Sequence, residues 1–312
     1  MTQSELARRL AALKNDDFAG EFDASRTYAG PLYFVPTDTL GSIRLAHELG
    51  IRGEQHLFGG VVPFPFAATK TITHPLPGDD AQAPDGWSSG FAQRVHEVVL
   101  PGFSAFTLPD ARSAGARMLQ QGSVRIKIPS GSGGLGQSVI TDMEELDAQL
   151  QSIDAEEVMR DGLVFEQNLT DVVTHSVGQV RVAGLLVTYY GTQRLTASNR
   201  GQEVYGGSDL VVVRGDFDAL LRLQLPDDVT TSIAQARTYH EAAMTSFVGM
   251  FASRCNYDIA RGVDDHGQRR SGVLEQSWRI GGASGAEIVA LEAFQADPAL
   301  AVVCASTTEI YG

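Results

Sequence analysis

Lysine is nearly missing from this chain. Of its 24 basic residues only three are lysines (Lys14, Lys70 and Lys127), and the remaining 21 are arginines. A chain that has arginine almost everywhere has kept the compact, flexible ammonium group in few places, and that group suits a single phosphate oxygen. Cysteine is scarce too. Cys255 and Cys304 are too few for a disulfide framework or a cysteine-based zinc site, so a reducing, cytoplasmic setting is expected. No apolar run approaches the length of a membrane span, which argues against a membrane partner. The opening MTQSELARRLAALKNDD lacks the apolar segment of a secretory signal and spells a short amphipathic helix. A formal net charge of -14 argues against a general nucleic-acid binder. There is no repeat and no low-complexity tract. A length of 312 residues, 43% of them hydrophobic, is enough for two or three small domains with a sizeable core.

Where glycine concentrates, the chain becomes specific. Val124–Val139 reads VRIKIPSGSGGLGQSV. Val124, Ile126 and Ile128 alternate with Arg125 and Lys127, a strand pattern that Pro129 stops. Glycine and serine then fill most of Ser130–Ser138, a run that cannot pack a core but can bring bare backbone N–H groups close to an anion. Val139 and Ile140 resume an extended character. The unit spells strand, glycine-rich loop, strand, with a lysine just before the loop.

Two familiar glycine motifs do not fit it. The Walker loop needs Gly-Lys-Ser/Thr followed by a helix, and here Gln137 stands where that lysine belongs. The dinucleotide fingerprint needs a helix straight after the glycines and an acid about 20 residues on. No helical pattern begins before Met143. The alternative is an exposed surface turn, so the rest of the chain must decide.

Leu32–Val35, a helix over Ile43–Leu49 and Leu57–Val62 spell a small strand–helix–strand layer. Lys70 lies in the apolar FPFAATKTITHPL, with His74 four residues on; it either snorkels to the surface or meets a ligand. Asp110 is expected to cap a helix through Leu119. Met143–Ile153 is an acidic helix. Gly162–Leu169 is a strand ending in Glu166, Gln167 and Asn168. Val177–Tyr190 is expected as one long strand turned by Gly191, and Thr231–Arg254 as a helix with an apolar stripe. Further on, Asp258 and Glu275 fall on two paired strands joined by a turn at Asp264–Gly267, with Arg279 close behind. Two carboxylates and an arginine make a Mg²⁺ and phosphate site, since Mg²⁺ is commonly held by one or two carboxylates plus phosphate oxygens. A surface hairpin with solvated charges is the competing interpretation.

Together these pieces resemble the ATP-grasp superfamily, of the carboxylate–amine/thiol ligase type and a bacterial branch, over roughly Phe64–Gly285. The resemblance implies an α+β (α/β) fold, with two lobes gripping a nucleotide behind a shortened Rossmann-like pre-ATP-grasp domain. The domains expected are 1–100 for that α/β domain, 101–165 for the small lobe with its glycine-rich lid, and 166–312 for the large lobe with the metal site. Lys70 and Lys127 match the two ATP lysines. Ser130, Gly131, Ser132, Gly133, Gly134, Gly136 and Gln137 match the lid. Glu166, Gln167, Asn168 and Leu169 match the hinge, where Glu166 would take the adenine amino group and the backbone of Gln167 and Leu169 the adenine edge. Asp258 and Glu275 match the metal carboxylates. Ser277 stands where the family pattern Glu-x-Asn-x-Arg has asparagine, and Arg279 closes that pattern. The ribose acid has only Asp171 and Thr174 as imperfect candidates.

The cofactors implied are ATP and Mg²⁺. The implied reaction has a carboxylate attack the γ-phosphate to give an acyl phosphate and ADP, followed by attack of an amine or thiol. Arg279 and Lys127 are the expected catalytic groups. Partners would be small-molecule substrates and a second copy in a homodimer. Arg181, Arg194 and Arg200 are candidates for gripping an acidic substrate, with ordinary surface arginines as the alternative. His74 and His175 are expected to hydrogen-bond rather than catalyse. The competing functions are a phosphotransferase on the same fold and a non-catalytic nucleotide-binding protein, the latter suggested by Ser277.

Overall fold

A computed structural model describes residues 2–129, 136–197 and 203–309. The N-terminal segment starts with helix α1 (Gln3–Lys14), capped by Thr2, whose side chain accepts the Glu5 amide. Its buried stripe of Leu6, Leu10 and Leu13 faces the body of the molecule. A long irregular stretch leads to α2 (Ile43–Glu48), the two-residue strand β1 (Gly60–Val61), two short 3₁₀ turns and α3 (Ser89–Val95). The strand–helix–strand layer expected here is reduced. Its strands survive as isolated parallel bridges, Phe34 with Leu57 and Leu40 with Val61, while β1 pairs antiparallel with a distant strand.

Next come β2 (Gly102–Ala105), α4 (Leu108–Leu119), β3 (Val124–Lys127), β4 (Gln137–Ile140), α5 (Met143–Gln151), α6 (Ala155–Asp161) and β5 (Leu163–Gln167). The four strands form one antiparallel sheet in the order β2-β5-β3-β4. Val124, Ile126, Ile140, Leu163 and Phe165 bury one face of it against Ala111, Ala114 and Met118 of α4 and Leu146 of α5. The cap of α4 is Thr107 rather than Asp110. Thr107 accepts the Asp110 amide at 3.1 Å and donates its hydroxyl to the Asp110 carboxylate at 2.7 Å. A hydroxyl three residues before an acid makes this reciprocal box, and it sets the helix start earlier.

The remaining elements are β6 (Thr170–Val182), β7 (Leu185–Ala197), β8 (Glu203–Arg214), α7 (Phe217–Leu221), α8 (Asp227–Ser246), β9 (Phe251–Ala252), β10 (Arg254–Val263), β11 (Arg269–Ser277), α9 (Ser284–Ala296) and β12 (Val302–Ser306). Six of these strands form a sheet ordered β11-β10-β6-β7-β8-β12. The stretch expected as one strand over Val177–Tyr190 is a hairpin instead. Ala183 and Gly184 both take positive φ, 52° and 77°, the turn that matches strand twist, and Gly191 lies inside β7 opposite Ser176. Helix α8 starts earlier and stops sooner than expected, because Gly249 with φ 83° and the pairing of Phe251 with Val61 pull the chain out of the helix.

Helix α8 covers one face of this sheet through Ile233, Ala236, Tyr239 and Ala243. The other face is covered by α1 and α9. Arg9 donates to Glu292 at 2.7 Å, and the Gln295 amide donates to the Leu13 carbonyl at 2.8 Å, tying those two helices together. The β10–β11 turn reaches across to the small sheet. The Asp265 carboxylate accepts from the Ser123 amide and, at 3.1 Å, from its hydroxyl, and His266 Nε2 lies 3.0 Å from the Gln121 carbonyl oxygen. Among the described residues no helix is long and apolar enough to cross a membrane.

Candidate active site between the two sheets

Lys127 ends β3 and Glu166 lies on the neighbouring β5, with Arg125 opposite Glu166 and Val164 opposite Lys127. The Lys127 ammonium donates to Glu166 Oε1 at 2.6 Å, and His74 Nε2 lies 3.1 Å from Glu166 Oε2. All three side chains are buried. Gly102 is required here, because a Cβ on it would sit 2.8 Å from the His74 ring and 2.6 Å from the Phe165 carbonyl oxygen. Burial, the largest influence, pushes the Glu166 carboxyl up. The charge of Lys127 and the hydrogen bond and charge of His74 outweigh it and hold the group below the ordinary carboxylate value.

The second centre lies on the large sheet. Asp258 of β10 stands directly opposite Glu275 of β11. A bulge follows at once: Ile259 pairs with Val273, so Leu274 is the extra residue. Ser176, Gln193 and Asn256 all donate to Asp258 Oδ1, at 3.0, 2.9 and 2.9 Å. Oδ2 accepts no bond among the described residues. Burial and the facing Glu275 push Asp258 up from the ordinary value, against those three donors. Glu275 Oε2 lies 2.7 Å from the ammonium of Lys70, which is buried. Among the described residues no three His, Cys, Asp or Glu side chains group to hold a metal. The carboxylates of Asp258 and Glu275 nevertheless have the chemistry to hold a Mg²⁺ ion that would take its other oxygens from phosphate and water.

One short segment joins the two centres. Lys70 opens the 3₁₀ turn Lys70–Thr73, and His74 follows it. Lys70 reaches the large sheet and His74 the small one. Gln276 fixes the start of the segment by donating to the Thr69 carbonyl at 2.6 Å, while the Tyr239 hydroxyl donates to Gln276 Oε1 at 3.0 Å. Ser104 of β2 fixes its middle, donating to the Thr71 carbonyl at 2.6 Å.

Behind Asp258 runs a buried network that sequence reasoning missed. Arg254 donates to Glu287 Oε1 at 2.8 Å from Nη2, and the Tyr189 hydroxyl donates to the same oxygen at 2.6 Å. Tyr189 also lies 2.9 Å from Asn256 Oδ1, and the Asn256 amide group in turn holds Asp258. Arg254 donates to the Ser277 hydroxyl at 3.2 Å and to the Arg279 carbonyl at 2.7 Å. The available signal was Glu287, an acid set among the apolar residues of AEIVAL.

The other expected residues are distributed as follows. Ser277 lies opposite Asn256, its hydroxyl turned to Arg254. Arg279 is 3.5 Å from the Asp38 carboxylate at the surface. The Glu166 carboxylate faces Lys127 through Oε1 and His74 through Oε2. The Gln167 amide donates to the Pro101 carbonyl at 2.9 Å. Asn168 accepts from Arg125 at 2.7 Å, and Leu169 is buried with Leu100 and Ala260. Gly136 takes φ 72° just before β4, and Gln137 accepts from Arg125 at 3.3 Å. Ser130, Gly131, Ser132, Gly133, Gly134 and Arg200 lie outside the described residues. Arg181 pairs with Glu54 at 2.9 Å and Arg194 with Asp209 at 3.3 Å, both on the surface. His175 bonds the Ser232 hydroxyl at 2.9 Å. Cys255 is buried, with its thiol pushed up to about 12, so it is no nucleophile.

This architecture has known counterparts. The phosphoribosylamine–glycine ligase of Thermotoga maritima superposes with a TM-score of 0.50 at 14% identity, over 92% of this chain and 69% of that one. The biotin carboxylase domain of the 2-oxoglutarate carboxylase of Hydrogenobacter thermophilus, in complex with MgADP, ADP and bicarbonate, gives 0.48 at 15% identity, over 78% of this chain and 46% of that one. The D-alanyl-alanine synthetase A of Vibrio cholerae gives 0.42 at 12% identity, over 82% and 69%. The chain thus spans about half the length of the first of the carboxylases, 46%. At such identities the likeness is one of fold, and the fold is ATP-grasp. No curated protein sequence matches the chain. A family described as "Protein of unknown function (DUF3182)" matches residues 1–312.

Proposed function

The chain belongs to that family, and from this premise we propose that it is an ATP-dependent ligase. It would join a small-molecule carboxylate to an amine or thiol through an acyl phosphate, releasing ADP and phosphate. The observation that carries this is the use of lysine. Of the three lysines in the chain, two sit between the sheets, each paired with a carboxylate, Lys127 with Glu166 and Lys70 with Glu275. Phosphate oxygens are the natural competitors for both ammonium groups.

In this scheme Lys70 and Lys127 neutralise the phosphates of ATP and hold them in line. Asp258 and Glu275 would hold Mg²⁺, which supplies further charge neutralisation when bound. Gln193, Asn256 and Ser176 keep Asp258 turned so that Oδ2 remains available. Arg279 stabilises the charge that develops on the acyl phosphate. The glycine-rich run after Lys127 covers the phosphates and excludes water, which would otherwise hydrolyse the intermediate. The hinge from Glu166 to Leu169 would carry the base. Ser277 favours keeping a second reading, a nucleotide-binding protein without turnover, because its hydroxyl is already engaged by Arg254. The setting proposed is cytoplasmic.

The test is calorimetry of ATP and ADP with Mg²⁺ on the wild type and on Lys70→Ala. Micromolar binding that collapses in the variant is expected. Phosphate release with carboxylate and amine mixtures then separates the ligase from the binding protein. A wild type that binds neither nucleotide refutes the proposal.

A further inference from the structure

A cavity of about 690 Å³ lies in the N-terminal segment between α1 and the chain that follows it, away from the lysine–carboxylate centres. That volume is within the usual range for a small-molecule site. Its walls are aromatic: Phe18, Phe22, Tyr28, Tyr33 and Phe34 line it. Three of these rings already carry a cation, Arg8 over Phe18 at 4.2 Å, Lys14 over Tyr33 at 4.5 Å and Arg26 over Tyr28 at 5.3 Å. Phe22 stacks on Tyr28 at 6.0 Å and meets Phe34 edge to face at 5.4 Å, and neither Phe22 nor Phe34 carries a cation among the described residues. Phe22 is 48% exposed, a large apolar surface left open at this site. The charged lining is one lysine, Lys14, against Asp16, Asp17 and Glu21. Lys14 is taken by Asp16 at 3.6 Å, while Asp17 and Glu21 have no cationic partner among the described residues.

Aromatic faces beside unpaired carboxylates select an organic cation: the ring faces attract it, the acids neutralise it, and the apolar walls bury its body. A carboxylate ligand would meet the same acids as repulsion. The cavity also has an address. Its lining includes Thr37 and Leu40, which flank Asp38, and Asp38 is the residue 3.5 Å from Arg279. Leu40 bonds the Gly60 carbonyl, and Gly60 lies so close to Trp278 that a Cβ would come within 2.8 Å of its side chain. The wall of the cavity is thus linked, through Asp38 and through Leu40 and Gly60, to Trp278 and Arg279 just past the end of β11.

We infer that this cavity binds an organic ammonium compound with a planar, apolar body. That this compound is the acceptor amine of the ligation rests on the proposed function above; the binding itself does not. The test is calorimetry of the full chain, free of nucleotide, with phenethylammonium and 3-phenylpropionate as probes. Saturable binding of the amine is expected. It should weaken about three- to fivefold in Phe22→Ala and in Asp17→Asn, the size of one exposed cation–π or charge contact, with Mg-ATP binding unchanged in both. Both residues are exposed, so the variants should fold. Failure of the amine to bind, or tighter binding of 3-phenylpropionate, overturns the inference. Amine binding by a wild type that takes no nucleotide supports the cavity and removes the ligase.

Discussion

Neutralising Glu166 should cost more stability than any single surface change, because it strands a buried ammonium group. At 2.6 Å and an effective dielectric of about 20, the Lys127–Glu166 attraction is about 6 kcal/mol. Much of that offsets the several kcal/mol spent dehydrating each ion, so the pair is no large net gain while intact. Breaking it is different. Glu166→Gln keeps the shape and an accepting oxygen but leaves the Lys127 charge uncompensated, which predicts a loss of about 3 kcal/mol, the lower end for a broken buried pair. Lys127→Met leaves the carboxylate with His74 as its remaining partner and should cost a similar amount. The double variant buries no unpaired ion and should cost less than the sum by at least about 2 kcal/mol. Urea unfolding with an unchanged m-value measures all three. Either single variant falling below about 1 kcal/mol, or costs that simply add, refutes the claim that the two charges depend on each other.

His240 should impose an acid limb on stability. Burial lowers it from 6.5 to about 4, so between those values the unfolded chain holds a proton that the folded chain does not. Stability is then complete above pH 6.5 and lost as pH falls toward 4, by up to about 1.4 kcal/mol per pH unit. His240→Gln, which can still bond the Tyr257 hydroxyl, should flatten denaturant midpoints measured between pH 7 and pH 4.5; an unchanged limb in that variant assigns the effect elsewhere. Asp265→Ala should free the Ser123 amide and loosen the grip of the β10–β11 turn on the small sheet, at about 1–2 kcal/mol for the lost acceptor. Hydrogen exchange at Gln121–Ser123 should quicken several-fold with Lys127 still protected, and unchanged exchange would show that the turn holds nothing.

The features most legible in the sequence were those carried by local chemistry. Alternation in VRIK and the glycine run placed the β3–β4 hairpin, and lysine scarcity pointed at Lys70 and Lys127 before any pairing was visible. Asp258 and Glu275 were readable as acids on paired strands. What failed was information that lives in distant contacts. The Ala183–Gly184 turn is hidden because an alanine supplies the first positive φ, at 52°. The end of α8 depends on Phe251 being claimed by Val61, almost 200 residues earlier in the chain. The Arg254–Glu287–Tyr189 network joins three elements whose sequences each look like ordinary scaffold. The burial of Glu166 between Lys127 and His74 likewise arises only when the segment after Lys70 packs on the small sheet.

The bulge beside Asp258 has a mechanical meaning. Consecutive residues of a strand normally serve opposite faces, and a bulge suspends that rule for one step. Here the extra residue, Leu274, packs with Leu100, Leu169 and Ala260, while its neighbour Glu275 holds Lys70. The turn of the same hairpin grips the small sheet through Asp265 and His266. The hairpin is thus a single strut, held at its turn by the small sheet, packed at its middle on Leu100 and Leu169, and ending at a carboxylate. One length of backbone therefore runs from the small sheet, at Ser123 and Gln121, to the Lys70–Glu275 pair on the large one.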